Sequence, residues 1–331
     1  MSRSAELIRN TPLATLGTIL ICTLIFILQK ALDWKLQVFT FCPRLILYAH
    51  EYYRVFSSTL FHANLMHIGM NMLSTFAIGR VLEKQLGTLG LVVTMMWSAI
   101  VSCSLYLGWA IFAHLVLDMD RWMYDHAVGF SGVLFHLSVV ECHLSPQLSR
   151  SLFGMVNVPA ALYPWALLVV LQMFMPNLSF MGHFCGILAG SLQIEGYLEW
   201  MMPGDSYLKE MEKWTLLRII AGLPSFHSPP SSGTLGGSRF GRSESSGGIL
   251  HFAKKGIKMV CKYLYYFVET LFVVIFGRGH QLNSNIWFDN LWFKRKSKGN
   301  GEPGAVSRPV DVLQEAGDDH DEDNQELSSL V

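Results

Sequence analysis

The sequence predicts an all-α, polytopic membrane protein whose central part is a bundle of six transmembrane helices. Three observations carry the prediction. Hydrophobic residues make up 51% of the 331-residue chain and charged residues only 15%, against about 25% charged in an ordinary soluble domain. The charge deficit is confined to residues 13–197, and charged residues crowd the part after Glu199. Within 13–197 the apolar residues fall into runs of membrane length, separated by short polar or aromatic breaks.

The first run, 12–28, is long enough to span. No small-residue cleavage pattern follows it, so it reads as a retained signal-anchor. Residues 29–61 mix Trp34, Phe39, Phe41, Tyr48, Tyr52 and Tyr53 with Lys35 and Arg44, a composition suited to a membrane interface. Further spans are expected at about 65–79, 86–113, 128–143, 158–175 and 179–197. Several are short for a bilayer, which implies tilted or partly wet helices. Pro164 is expected to loosen the fifth span near its start.

Basic residues near the spans set the orientation. Arg3 and Arg9 precede the first span, Arg80 and Lys84 join the second to the third, Arg150 joins the fourth to the fifth, and Lys209, Lys213 and Arg218 follow the sixth. All fall on one side, which places both termini in the cytosol. The four basic residues of the 29–64 loop weigh against this; the loop 114–127, with Asp118, Asp120 and Asp125 against Arg121, agrees with it.

By composition the chain divides into a membrane domain at 1–200, a cytosolic juxtamembrane helix at 201–223, a Ser/Gly/Pro-rich flexible linker at 224–248, a membrane-associated segment at 249–280 and a disordered tail at 281–331. In the fourth part, residues 257–276 are apolar but contain Lys258, Lys262 and Glu269. A seventh span and an interfacial helix with snorkelling lysines fit equally well. The tail sets the basic run KRKSK before the acidic run DDHDED, both suited to solvated disorder. A net charge of zero gives no electrostatic case for nucleic acid. The six cysteines (Cys22, Cys42, Cys103, Cys142, Cys185, Cys261) include no CxxC, so neither a disulfide framework nor a metal site is indicated, and no cofactor is expected.

Polar residues inside the spans carry the functional signal, because polar groups in a membrane need partners or a water-filled cavity. With the orientation above, His67 and Asn71 (MHIGMNML), Ser131 (GFSGVLF) and His183 (MGHFCGILAG) all open even-numbered spans near their lumenal ends. Ser131 and His183 supply a hydroxyl and a base to take its proton. Gly132 has no side chain to hold helices apart. Gly186 and Gly190 share a helix face with His183, so that face can approach the fourth span closely. His67 and Asn71 are four residues apart, on one helix face, and can both point at a developing oxyanion; the Ser131 backbone N–H at a helix start is a further donor. Phe135, four residues after Ser131, can stack on the imidazole. The aspartates at 118, 120 and 125 are loop residues expected to be solvated, so the pair reads as a dyad. His62 and His67, five apart and about 140° around a helix, do not have zinc-ligand spacing.

Taken in order, GFSGVLF with Gly129, HIGMN and GHFCGILAG resemble the signature motifs of the rhomboid intramembrane serine proteases. GRVLEKQLG (Gly79, Glu83, Gly87) is similar to the GxxxExxxG of that family, and EYYR, ending at Arg54, to its Trp-Arg loop motif with Tyr53 in place of Trp. The resemblance covers about residues 10–200 and is strongest to the rhomboid domain-containing members of the endoplasmic reticulum. It implies a rhomboid bundle with Ser131 as nucleophile, His183 as general base, His67 and Asn71 as oxyanion donors, and lateral substrate access past the second and fifth spans. It assigns supporting places to Gly129, Arg54 and Glu83.

The expected function is an intramembrane serine endopeptidase acting on single-pass membrane proteins, with the lipid bilayer and those substrates as its partners. The competing reading is a catalytically silent, derlin-like factor that binds clients for membrane-protein quality control. A channel is disfavoured by the lack of inverted-repeat symmetry.

Overall fold

The computed structural model describes residues 10–145, 147–198 and 202–229. The 257–276 segment, the tail and most of the 224–248 linker lie outside the described residues. Ten α-helices, three short 3-10 helices and one β-hairpin make up the regular structure of the described part. The first six α-helices are α1 Leu13–Ala31, α2 Pro43–Tyr48, α3 Arg54–Leu60, α4 Leu65–Leu86, α5 Thr88–Leu117 and α6 Ser131–Leu144. The hairpin β1 Ser149–Leu152 and β2 Val156–Pro159 follows, then α7 Tyr163–Phe174, α8 Phe180–Ile194, α9 Asp205–Met211 and α10 Thr215–Ala221.

Helices α1, α4, α5, α6, α7 and α8 occupy the stretches where spans are expected. Of these, α1 and α5 are long and apolar enough by length and composition to cross a membrane. The helices α6, α7 and α8 are shorter, at 14, 12 and 15 residues. At 1.5 Å per residue they measure roughly 18–23 Å, less than the ~30 Å hydrocarbon thickness. Between them, α6 is central: every residue from Val133 to Cys142 is buried. By contrast, α1 turns Leu20, Ile21, Leu24 and Ile27 outward, each more than half exposed.

Three departures from the sequence reading have clear causes. The chain is not wholly helical, because residues 149–159 pair as an antiparallel hairpin with Arg150 opposite Val158; Phe153 and Gly154 form its tip with positive φ. The helix at the second expected span, α4, runs past Gly79 to Leu86 and carries Glu83 inside it, ending only where Gly87 adopts φ 81°. Pro164 does not loosen α7: it sits in the first turn, where a missing N–H costs nothing.

Glu83 explains how α1 and α4 are joined. Its side chain is fully buried. It accepts the Ala14 and Thr15 N–H groups at 2.8 Å and the Thr15 and Thr88 hydroxyls at 2.7 Å. Two otherwise unpaired amides in the first turn of α1 are thereby satisfied by a carboxylate from another helix. Gly79, one turn earlier, lets Thr15 approach: a Cβ there would sit 2.8 Å from the Thr15 hydroxyl oxygen. Arg54 does similar work in the interfacial segment. Almost fully buried, it donates to the Gln37 and Thr40 carbonyls at 2.8 and 2.7 Å and to Glu51 at 2.6 Å. Arg54, and after it Tyr53, hold the Glu51 carboxyl below the usual carboxylate range. Tyr53 adds a hydroxyl contact to the Val38 carbonyl at 3.0 Å.

Candidate active site

Three helix starts converge at one end of the bundle. α4 begins with Asn64, whose side chain accepts the His67 N–H at 2.8 Å. α6 begins at Ser131 itself. α8 begins with Ser179, whose hydroxyl accepts the Gly182 N–H at 3.2 Å. The Asn64 and Ser179 caps fix the first turns that carry His67 and His183.

The structure places His183 Nε2 2.7 Å from Ser131 Oγ. That approach depends on backbone contact between α6 and α8. A Cβ added at Gly186 would lie 2.3 Å from the Gly132 carbonyl oxygen, and one at Gly190 2.8 Å from the His136 carbonyl oxygen. Gly132 itself faces the Gly182 carbonyl, where an added Cβ would be 3.4 Å away. Phe135 lies against the imidazole, with ring centroids 4.7 Å apart and planes at 33°. His183 is 4% exposed.

Gly129 has φ 115°, and a Cβ there would fall 2.6 Å from His67 Nε2. Only glycine takes that backbone shape readily and leaves the ring room. Its N–H donates to the Ser58 carbonyl at 2.7 Å, tying the GFSG turn to α3. His67 Nε2 is buried and has no hydrogen-bond partner among the described residues. Asn71 differs from the sequence expectation of a donor aimed at the site. Its amide donates to the His67 carbonyl at 2.8 Å, within its own helix, although its side chain lines the same cavity as His67.

Several site residues escape sequence reading. His62 is fully buried. Its Nε2 accepts the Phe130 N–H at 3.4 Å, and its ring centroid is 5.3 Å from that of His67. Burial, with His67 beside it, lowers its pKa to about 4, so it stays a neutral acceptor. His62 precedes α4, so helical spacing from His67 does not describe the pair and does not disclose this role. Asp125 is not a solvated loop residue: it accepts the Tyr106 hydroxyl and, at 3.0 Å, the His126 N–H. Glu141 lies within α6 and pairs with Arg150, not with His183.

Two cavities meet at Ser131, His67 and His183. One, about 560 Å³, runs between α4 and α7 and is walled by Met70, Leu134, Leu167, Leu171 and Phe174. The other, about 70 Å³, is lined by Ser58 of α3, Ser102 of α5 and the α8 cap Ser179, among apolar neighbours such as Phe41 and Val133. The Ser102 hydroxyl is buried without a partner among the described residues. A space of that size has room for a few waters, with these hydroxyls as their partners. Chemically, the arrangement joins a hydroxyl, a base within hydrogen-bond reach, an unpaired ring N and an apolar approach.

Residues 49–198 match the Rhomboid domain family. The chain is 35% identical to "Rhomboid-like protein 15" of Arabidopsis thaliana over 65% of its own length and 54% of that protein. It is 32% identical to human "Rhomboid-related protein 4" over 46% and 48%. It is 26% identical to "Rhomboid-type serine protease 2" of Yarrowia lipolytica over 66% and 71%. The chain spans about half the length of the first two of these relatives.

Proposed function

This chain belongs to the rhomboid family, with its rhomboid domain at residues 49–198, and on that premise we propose that it is an intramembrane serine endopeptidase using a Ser131–His183 dyad. The observation that carries the proposal is the 2.7 Å contact between Ser131 Oγ and His183 Nε2 where two cavities meet. The family includes serine proteases, among them the Yarrowia lipolytica relative.

In the proposed reaction Ser131 Oγ attacks the scissile carbonyl carbon while His183 Nε2 takes its proton. The C–O bond forms and the carbonyl becomes an oxyanion. The Ser131 N–H at the start of α6 and a proton on His67 Nε2 stabilise that charge. Asn71 joins them if its amide turns from the His67 carbonyl. Collapse breaks the C–N bond, and His183 gives its proton to the leaving amine. Water from the 70 Å³ cavity then attacks the acyl-enzyme with His183 as base, releasing the acid and restoring Ser131. No third carboxylate is required: packing against Phe135 and burial orient the imidazole.

Substrates are proposed to be single-pass membrane proteins entering between α4 and α7. A substrate helix hides its carbonyls in its own hydrogen bonds, so cleavage favours segments with helix-weakening residues. Six spans, cytosolic termini and residence in the endoplasmic reticulum complete the proposal. The test is cleavage of a transmembrane substrate by the protein reconstituted in liposomes. Activity and phosphonate labelling should both be lost in Ser131→Ala and in His183→Ala. Unchanged substrate turnover in both variants defeats the proposal in favour of a client-binding factor.

A further inference from the structure

The chain beyond α8 returns to the bundle. Leu208 of α9 is buried and packs toward Gly90, where an added Cβ would be 3.7 Å from its side chain. After α10, residues 224–229 cross the ends of three helices. The Leu13 N–H donates to the Ser225 carbonyl at 2.9 Å, and the Thr88 N–H to the His227 carbonyl at 2.7 Å. The His227 N–H donates to the Thr88 hydroxyl at 2.9 Å. That hydroxyl in turn donates to Glu83. Pro229 is buried against Gly87: a Cβ there would lie 2.7 Å from the Pro229 nitrogen. This segment is a clasp. It pairs first-turn amides of α1 and α5, which a helix start leaves open, and it closes on the Glu83 carboxylate that joins α1 to α4.

One residue of the clasp faces outward. Ser228 is exposed, and its hydroxyl donates to Glu212 Oε2 at 2.8 Å. The other Glu212 oxygen is buried and accepts nothing among the described residues. The neighbouring Lys213 is paired with Glu210 at 2.7 Å. Pro229 and Pro230 follow in sequence, and a proline biases the residue before it toward extended backbone, the form in which a kinase takes a serine.

We propose that Ser228 is a phosphorylation site and that its modification opens the 224–229 clasp. An ATP-dependent protein kinase transfers the γ-phosphoryl group to Oγ. The Oγ–P bond forms, the bond from that phosphorus to the bridging oxygen breaks, ADP leaves, and the hydroxyl proton passes to the kinase's base. The product carries roughly −1.5 to −2 charge. Oγ can no longer donate, and the phosphate faces the Glu212 carboxylate, which has no ion-pair partner among the described residues. Because Pro229 is buried, the kinase acts on the open fraction of the clasp and the phosphate then traps it. The inference rests on the cytosolic placement proposed above, where ATP is available, and not on the chemistry of Ser131.

The test uses the full-length protein in phosphatidylcholine nanodiscs, incubated with MgATP and a proline-directed kinase. Mass spectrometry locates the phosphate, and hydrogen exchange follows the Leu13 and Thr88 amides. The expected result is phosphate on Ser228, none in Ser228→Ala, and roughly tenfold faster exchange at both amides with no change in α6. Glu212→Gln, which removes the opposing anion and keeps an acceptor for Ser228, should bring exchange in the phosphorylated protein back to within about twofold of the unmodified form. Failure of Ser228 to accept phosphate, or phosphate without faster exchange, overturns the inference. A protein that shows the shift yet cleaves no substrate defeats only the proteolytic reading.

Discussion

Alanine at Gly186 tests whether backbone contact between α6 and α8 sets the reactive geometry. An ideal Cβ there would lie 2.3 Å from the Gly132 carbonyl oxygen and 3.1 Å from Phe135 Cβ, whereas ordinary contact begins at 3.4 Å. The two helices must part by about 1 Å, since close-packed backbone has no other way to yield. Two energies then compete. Alanine favours a helix over glycine by about 1 kcal/mol. Overpacking costs about 1–3 kcal/mol. The net destabilisation is at most about 2 kcal/mol, so the fold should survive. The reaction should not: the 2.7 Å Ser131–His183 contact stretches beyond hydrogen-bond reach. A displacement of that size costs on the order of a hundredfold in rate. The assay is substrate cleavage in liposomes, with phosphonate labelling of Ser131 and a thermal midpoint to monitor folding. Gly108→Ala is the control, because a Cβ there meets nothing within 4 Å. If the Gly186 variant is folded and cleaves at the control's rate, the helix approach does not set the dyad.

Glu83→Ala should destabilise by more than about 3 kcal/mol, since it strands two amides and two hydroxyls in a buried site; a thermal midpoint matching wild type would refute this. His62 is a buried neutral imidazole with a pKa of about 4 against 6.5. Its contribution, about 3 kcal/mol, is therefore complete above pH 6.5 and lost as pH falls through 4. His62→Asn should flatten the acid limb of the thermal-midpoint profile, and parallel profiles would count against it. Arg54→Lys should loosen the 33–60 segment by about 1–3 kcal/mol, because an ammonium cannot span Gln37, Thr40 and Glu51 together; limited proteolysis of that segment reads it. Pro164→Ala should leave stability within about 0.5 kcal/mol of wild type, a first-turn proline having no N–H to lose.

The helical bundle was legible because its signals are long and local: apolar runs of membrane length, and glycines recurring on the His183 face. The hairpin at 149–159 was not legible. Its strands are four residues each, too short to show a period of two, and Arg150 reads in sequence as one more basic loop residue. The candidate site was legible in part for the same reason. Ser131, His67 and His183 interrupt apolar runs, so each stands out before any contact is known. What sequence spacing could not show is direction. Asn71 lies on the expected helix face, yet its amide turns back to the His67 carbonyl, a local bond that competes with any outward one. Asp125 looked like a loop carboxylate, and its tie to Tyr106 depends on a contact 19 residues away in sequence.

Helix length and site position are one problem, not two. Hydrolysis needs a carbonyl from the lipid side and water from the aqueous side at the same atoms. α6 is 14 residues and α8 is 15, near 21–23 Å, and each begins at the site. If both reached the cytosolic surface of a ~30 Å hydrocarbon layer, their first residues would stop several ångströms short of the opposite one. At that end the GFSG turn is tied to α3 through the Gly129 N–H and the Ser58 carbonyl, and the small cavity lined by Ser58, Ser102 and Ser179 adjoins Ser131. Longer helices would carry Ser131 to the surface, where lipid-side access between α4 and α7 fails. Shorter ones would bury it beyond the reach of water. The scissile bond is therefore expected one to two turns inside the lumenal end of a substrate helix. Moving a helix-weakening pair along a substrate in single-residue steps should give a cleavage maximum at that depth, and a flat profile would refute the coupling of helix length to the site.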